Sequence, residues 1–143
     1  MQALITRPIE DAGTLAAALA ARGVTAVSEP LLAIRQRAGA RVALAGLQAV
    51  LLTSANGARA LGRVTTRRDL AILAVGDATA QTARALGFSE IASAGGDVED
   101  LARLAVARLD PGAGALLHVA GSVVAGDLAG RLAAAGFRVE RAA

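Results

Sequence analysis

The chain lacks cysteine, lysine, tyrosine and tryptophan, and it has one histidine, one methionine and two phenylalanines in 143 residues. Without cysteine there are no disulfides, no thiolate nucleophile and no cysteine metal site. Without lysine there is no lysine Schiff base, and with His118 alone there is no histidine pair. Aromatics make up 1% of the chain, so any core is aliphatic and bases have almost nothing to stack on. The longest apolar runs, such as residues 113–119, fall well short of the roughly 20 residues a membrane helix needs. The first ten residues contain Arg7 and Pro8 but no apolar signal core. The composition therefore points to a soluble, cytoplasmic protein without nucleic-acid or membrane partners.

What is present is aliphatic. Hydrophobic residues are 55% of the chain, many of them alanine, which favours helix. Net charge is +3, while the sequence pI is 11.2. The gap arises because almost nothing titrates between neutrality and arginine. Apart from Arg67-Arg68 the arginines are scattered, as on solvated helix faces, and form no basic stripe.

The most informative stretch runs from Leu47 to Leu61. Residues 49–52 are apolar without alternation, as in a strand covered on both faces of a parallel sheet. Thr53 and Ser54 end the run, and either hydroxyl can cap the helix that begins near Asn56. A strand end that feeds a helix N-terminus is also where an anion can be held.

The rest of the chain repeats this device. Ala3 to Ile5 reads as a strand and Glu10 to Arg22 as a helix, closed by Gly23. Val24 to Val27 is the next strand. Leu31 to Arg37 reads as a connecting strand and a possible domain boundary, and a short helix is expected near Arg41 to Leu44. Residues 63–69 read as polar loop, Leu70 to Val75 as a strand, and a helix follows from Gly76-Asp77. Phe88 to Ala92 is a brief strand. Val98 to Leu109 is a helix with Val98, Leu101, Ala105 and Leu109 on one stripe. Ala115 to Val119 is a strand, Gly126 to Ala135 a helix, and Phe137 to Val139 opens a last strand. Leu15, Leu19, Gly23, Val24 and Val27 echo Leu128, Leu132, Gly136, Phe137 and Val139. Either the chain repeats itself or both are ordinary helix–glycine–strand exits.

Alternating strands and helices define the α/β class with a parallel sheet. In such sheets ligands sit beyond the carboxyl ends of the strands. Here those ends carry Thr6-Arg7-Pro8, Thr53 to Gly57, Gly76 to Thr79, Gly95-Gly96-Asp97 and Gly121-Ser122. They suit a ligand with many negative groups, and they equally suit plain turns and caps. Asp77 and Asp97 read as caps. Arg7 can clamp a carboxylate in a bidentate way. His118, inside an apolar strand, reads as structural first and as a minor acid–base candidate second. No glycine-rich nucleotide fingerprint and no serine-nucleophile elbow occurs.

Five motifs occur in order: Leu4-Ile5-Thr6-Arg7-Pro8, Glu29-Pro30-Leu31-Leu32-Ala33-Ile34, Leu52-Thr53-Ser54-Ala55-Asn56-Gly57, Ala74-Val75-Gly76-Asp77-Ala78-Thr79-Ala80 and Leu117-His118-Val119-Ala120-Gly121. Together they resemble the uroporphyrinogen-III synthase family, over nearly the whole chain. The resemblance implies two α/β domains with the active site in the cleft between them, the first domain being discontinuous. On that scheme residues 1–34 open the first domain, and residues 35–143 form a flavodoxin-like second domain inserted into it. The return leg of the first domain, and a tyrosine that assists loss of the substrate hydroxyl, would lie beyond Ala143. An opening fragment without its sheet is expected to pack poorly and to favour self-association, although the family is usually monomeric.

The reaction implied is closure of hydroxymethylbilane, a linear tetrapyrrole polycarboxylate, with loss of water and inversion of the last ring. No metal or cofactor is implied. The resemblance places Thr6, Arg7, Thr53, Ser54, Asn56, Gly76, Thr79, Gly96 and Ser122 at or near the substrate and names no catalytic residue. The alternative is a non-enzymatic anion-binding module that kept this fold.

Overall fold

The computed structural model describes residues 1–121, 124 and 126–143. The chain divides into two compact units, Met1–Ala38 and Gly39–Ala143.

In the first unit, β1 (Gln2–Ile5) and β2 (Thr25–Ser28) pair in parallel, with α1 (Ile9–Ala20) between them. Pro8 sits at the N-cap of α1, where its missing N–H costs nothing, and Glu10 and Asp11 lie at the positive end of the helix dipole. Ile5 and Ala12 are buried, whereas Leu4 and Val27, opposite one another in the ladder, are exposed. Only one face of this ribbon is covered.

The helix ends through Gly23, whose φ is 71°. Its N–H donates to the Ala20 carbonyl, and the Val24 N–H to that of Leu19. This paired closure is a Schellman motif, and its left-handed residue is glycine because a Cβ is disfavoured there. Gly87 and Gly136 close α3 and α5 in the same way: Gly87 N–H to Arg84, Phe88 N–H to Ala83, Gly136 N–H to Ala133 and Phe137 N–H to Leu132. The sequence echo between Leu19-Gly23-Val24 and Leu132-Gly136-Phe137 is therefore accounted for by a shared local motif.

Two expectations fail in the connection. Residues 31–37 form no strand, because no neighbour offers a ladder, and every residue from 29 to 41 is exposed. Residues 41–44 form no helix. Val42 and Leu44 lean on the core while Arg41 and Ala43 face water, which is the alternation of extended chain. Four residues also cannot meet the cost of helix nucleation alone.

The second unit is one parallel five-stranded sheet: β3 (Leu47–Leu52), β4 (Ile72–Ala74), β5 (Ile91–Ser93), β6 (Ala115–Val119) and β7 (Val139–Ala142), in the order β5-β4-β3-β6-β7. The helices are α2 (Ala55–Val64), α3 (Asp77–Ala85), α4 (Val98–Arg108) and α5 (Leu128–Ala134). Some bounds differ from the sequence reading. Residues 63 and 64 finish α2 rather than open a loop, and β5 begins at Ile91 instead of Phe88, because Phe88 is the buried residue of a helix exit.

Alternate strand residues feed two core layers. Leu51, Leu73 and Leu116 meet Leu101 and Ala105 of α4 and Leu128 and Leu132 of α5. Val50, Leu52, Ile72, Leu117 and Val119 meet Ala58 and Leu61 of α2 and Ala83 of α3. Each layer holds one of the two phenylalanines, Phe137 in the first and Phe88 in the second. Helices on both faces make this a doubly wound α/β unit. Counted within the unit the strand order is 3-2-1-4-5, the order of dinucleotide folds, so the winding reverses between β3 and β6.

Arg68 ties the second layer together. Its Nε donates to the Leu86 carbonyl (2.9 Å), Nη1 to Thr65 (2.6 Å) and Nη2 to Gly62 (3.1 Å). The guanidinium also lies 4.9 Å from the centre of the Phe88 ring. One cation thus satisfies carbonyls at the C-terminal ends of α2 and α3, where the helix dipole favours positive charge. Arg68→Ala is expected to lower unfolding free energy by about 1–3 kcal/mol in urea titrations. Arg68→Lys should recover less than half of that loss, because an ammonium cannot reproduce the planar fork. A loss below about 0.5 kcal/mol for Arg68→Ala would contradict this account.

Candidate functional site

All strands of the second unit are parallel, so their carboxyl ends share one edge. Thr53 and Ser54 leave β3, Val75 and Gly76 leave β4, Ala94 to Asp97 leave β5, and Ala120-Gly121 leaves β6. In open α/β sheets a ligand crevice lies where the winding reverses, which here is between β3 and β6.

The first turn of α2 forms one side of that crevice. Ser54 is the N-cap, and its hydroxyl accepts from the Gly57 N–H at 3.1 Å. Gly57 is pressed against the end of β6: a Cβ on it would lie 2.8 Å from the Val119 carbonyl oxygen. Asn56, on the same turn, accepts at Oδ1 from Arg59 Nη1 at 2.7 Å. A half-buried amide and a guanidinium are thus linked on the helix that faces the crevice.

His118 and Thr53 form the floor. His118 is buried on β6, and its Nε2 lies 3.1 Å from Thr53 Oγ1. Arg141 of β7 is the ladder partner of His118, and its Nη2 donates to the Gly121 carbonyl at 2.7 Å. Burial, and then the positive charge of Arg141, push the imidazole below its ordinary value. The structural reading of His118 holds, and its imidazole is neutral at neutral pH.

Away from the crevice, Gly76 and Gly96 adjoin one another. The Gly96 N–H donates to the Val75 carbonyl at 3.0 Å, and the Gly96 carbonyl oxygen lies 3.8 Å from where a Gly76 Cβ would be. Asp97 caps α4 in a capping box with Asp100, whose carboxylate returns to the Asp97 N–H at 2.9 Å. A Cβ on Gly96 would run into that carboxylate, so the box alone requires glycine there. Asp77 is not a cap. Gly76 occupies the N-cap of α3, and Asp77, the first helical residue, instead accepts from the Ser93 hydroxyl at 2.7 Å. Thr79 is buried one turn into α3.

The structure therefore gathers Thr53, Ser54 and Asn56 at the β3/β6 crevice, and Gly76, Thr79 and Gly96 at the β4/β5 end of the same edge. Thr6 and Arg7 lie in the other unit, exposed past β1, where the Thr6 carbonyl accepts from the Leu31 N–H. Ser122 lies outside the described residues. Sequence reasoning placed Gly57 at this edge without its contact to β6, and it missed Arg141. A glycine in the first turn of a helix is itself a signal of close backbone approach, whereas nothing local marks Arg141. Among the described residues no cluster of histidine, cysteine, aspartate and glutamate could hold a metal, and no helix is long and apolar enough to cross a membrane.

Fold and edge define the class: a doubly wound parallel α/β unit with hydroxyl, amide and backbone donors at its switch point, joined in the chain to a smaller strand–helix–strand unit. The chain belongs to the uroporphyrinogen-III synthase HemD family, whose profile matches residues 13–143. Among solved structures it is similar to uroporphyrinogen III synthase from the extremely thermophilic bacterium Thermus thermophilus, at 18% identity and a TM-score of 0.55. That match covers 99% of this chain and 59% of the other, so the chain spans less than two thirds of the matched protein. No curated protein sequence matches it.

Two outcomes follow from the crevice. A histidine whose folded pKa is depressed lets the unfolded chain take up the proton first. The stability it contributes is present above its ordinary value of 6.5 and is lost as pH falls below that. Unfolding free energy measured against pH should therefore fall below pH 6.5 more steeply for the native sequence than for His118→Gln, and parallel profiles would contradict it. Gly57→Ala should push α2 off the end of β6 and cost about 1–3 kcal/mol in the same titrations. An unchanged stability would mean that the two elements are not held in contact.

Proposed function

We propose that the chain acts in uroporphyrinogen-III synthesis, closing hydroxymethylbilane to uroporphyrinogen III with loss of water and inversion of the last pyrrole ring. The observation that carries this reading is the family profile across residues 13–143. The chemistry of the edge supports it. The substrate is a flexible chain bearing carboxylates, and the enzyme's task is to hold it in the shape that closes with inversion. Proximity and orientation are the main devices for such a reaction.

Thr53, Ser54 and Asn56 stand at the N-terminal end of α2, where the helix dipole favours anions and hydroxyl and amide groups add directional donors. Gly76, Thr79 and Gly96 extend the same edge toward β5 and would take further carboxylates. Thr6 and Arg7 are proposed as substrate contacts of the first unit, with the Arg7 guanidinium suited to a bidentate carboxylate. Ser122 belongs to the same proposal. Loss of the hydroxyl then needs only a donor and a dry setting, and the reaction needs no metal or redox cofactor.

A second reading is that the chain binds the tetrapyrrole without closing it. The two readings separate in one assay. Hydroxymethylbilane is generated in place from porphobilinogen by its deaminase, the chain is added, and the oxidised products are resolved by isomer. The enzyme reading expects the type III isomer to accumulate in proportion to added chain, and Thr53→Val to reduce it at least fivefold, the scale of one lost hydrogen bond. Type I product alone, at every concentration, would overturn it.

A further inference from the structure

We infer that His118 is a positioning residue. Through its 3.1 Å contact with Thr53 it fixes that hydroxyl as a donor aimed at a ligand carboxylate in the β3/β6 crevice. The inference rests on the reading of the edge as a polycarboxylate site and names how one of its groups is set.

Proton count decides which way this contact runs. A threonine hydroxyl has one hydrogen and two lone pairs, and a neutral imidazole carries its hydrogen on one nitrogen only. If that hydrogen is on Nδ1, then Nε2 must accept from Thr53, and the hydroxyl has nothing left to offer an anion. If it is on Nε2, His118 donates to Thr53 and the threonine hydrogen is free. A carboxylate accepts and never donates, so it can occupy the crevice beside Thr53 only with the second arrangement. Bound carboxylate thus selects the Nε2–H tautomer, and the relay runs from imidazole to hydroxyl to ligand.

The surroundings fit this task. His118 is 3% exposed, so water does not compete for its ring, while Thr53 stands at the strand end and is only half-buried. Arg141, opposite His118 in the ladder and anchored on the Gly121 carbonyl, places a fixed positive charge beside the pair. Burial first, and then that charge, favour the neutral imidazole and leave its tautomer as the variable, and the charge also favours an anion at the same place. The contact spans 65 residues of sequence and joins the two strands that flank the switch point.

His118 is the only histidine, so a chain labelled with 15N-histidine gives one imidazole signal pair. The labelled, unmutated chain is titrated with uroporphyrin, a stable tetrapyrrole octacarboxylate, and the two ring nitrogens are read by NMR. The expected result is an Nε2 with the shift of a protonated nitrogen and an Nδ1 with that of an unprotonated one in the complex. Thr53→Val and His118→Leu should each weaken uroporphyrin binding about fivefold to tenfold. His118→Gln, whose amide can donate from the same position, should stay within about twofold of the native affinity. Binding with the hydrogen on Nδ1, or equal weakening by His118→Leu and His118→Gln, would overturn the relay while leaving the carboxylate site standing. Absence of any uroporphyrin binding to the folded chain would overturn both. The tautomer is read on the native sequence and does not depend on how well any variant folds.

Discussion

The close approach of α2 to the end of β6 is the constraint on which the rest of this molecule depends. Gly57 sits where any side chain would run into the Val119 carbonyl, with 2.8 Å between that oxygen and a would-be Cβ. Because the helix starts so near the neighbouring strand, Ser54 can cap it without leaving the edge, and Asn56 is carried to the mouth of the crevice. Beside it, the parallel ladder of β3 and β6 sets Leu51 opposite His118, which lets Thr53 reach the imidazole. A core of leucine, isoleucine, valine and alanine can form in many arrangements. The polar contacts at this one end allow few.

The two core layers explain why the sequence can manage with so few aromatics. Each layer takes one phenylalanine, and each phenylalanine directly follows the glycine that ends a helix. The turn that reverses the chain and the largest side chain of the layer are thus set by adjacent residues. Burying such a ring is worth about 1.5–3 kcal/mol, and its position is fixed by two backbone hydrogen bonds. Arg68 adds a different kind of tie, because it closes two helix ends with one side chain. These devices keep the polar edge on a rigid scaffold, as the proposed orienting site would require.

Much of this was legible in the sequence wherever the signal is local. Ser54 and Asp97 cap helices because small oxygen-bearing side chains reach nearby N–H groups. The glycine exits and the stripe of Val98, Leu101, Ala105 and Leu109 follow from backbone geometry and helical period. The failures have one cause. Leu31 to Arg37 has the composition of a strand, but a strand exists only where a partner does, and none adjoins it. Arg41 to Leu44 has helix-forming residues, but its burial alternates. Asp77 resembles a cap in sequence and yields that place to Gly76, because its carboxylate finds Ser93 on the next strand. Thr53 with His118, Arg68 with Leu86 and Gly57 with Val119 all depend on contacts between distant segments, which spacing does not reveal. The family resemblance pointed to Thr53, Ser54 and Asn56, which are neighbours in sequence at the end of β3 and the start of α2, and so did not supply these distant contacts.

The central claim is that the β3/β6 end of the sheet is where a tetrapyrrole polycarboxylate binds. The most direct measurement is the backbone amide spectrum of the chain with and without uroporphyrin. The account predicts that the largest shifts fall on residues 53–57 and on Ala120 and Gly121, with weaker ones near Gly76 and Gly96. Shifts confined to the opposite end of the sheet, or to the outer surfaces of α4 and α5, would contradict it.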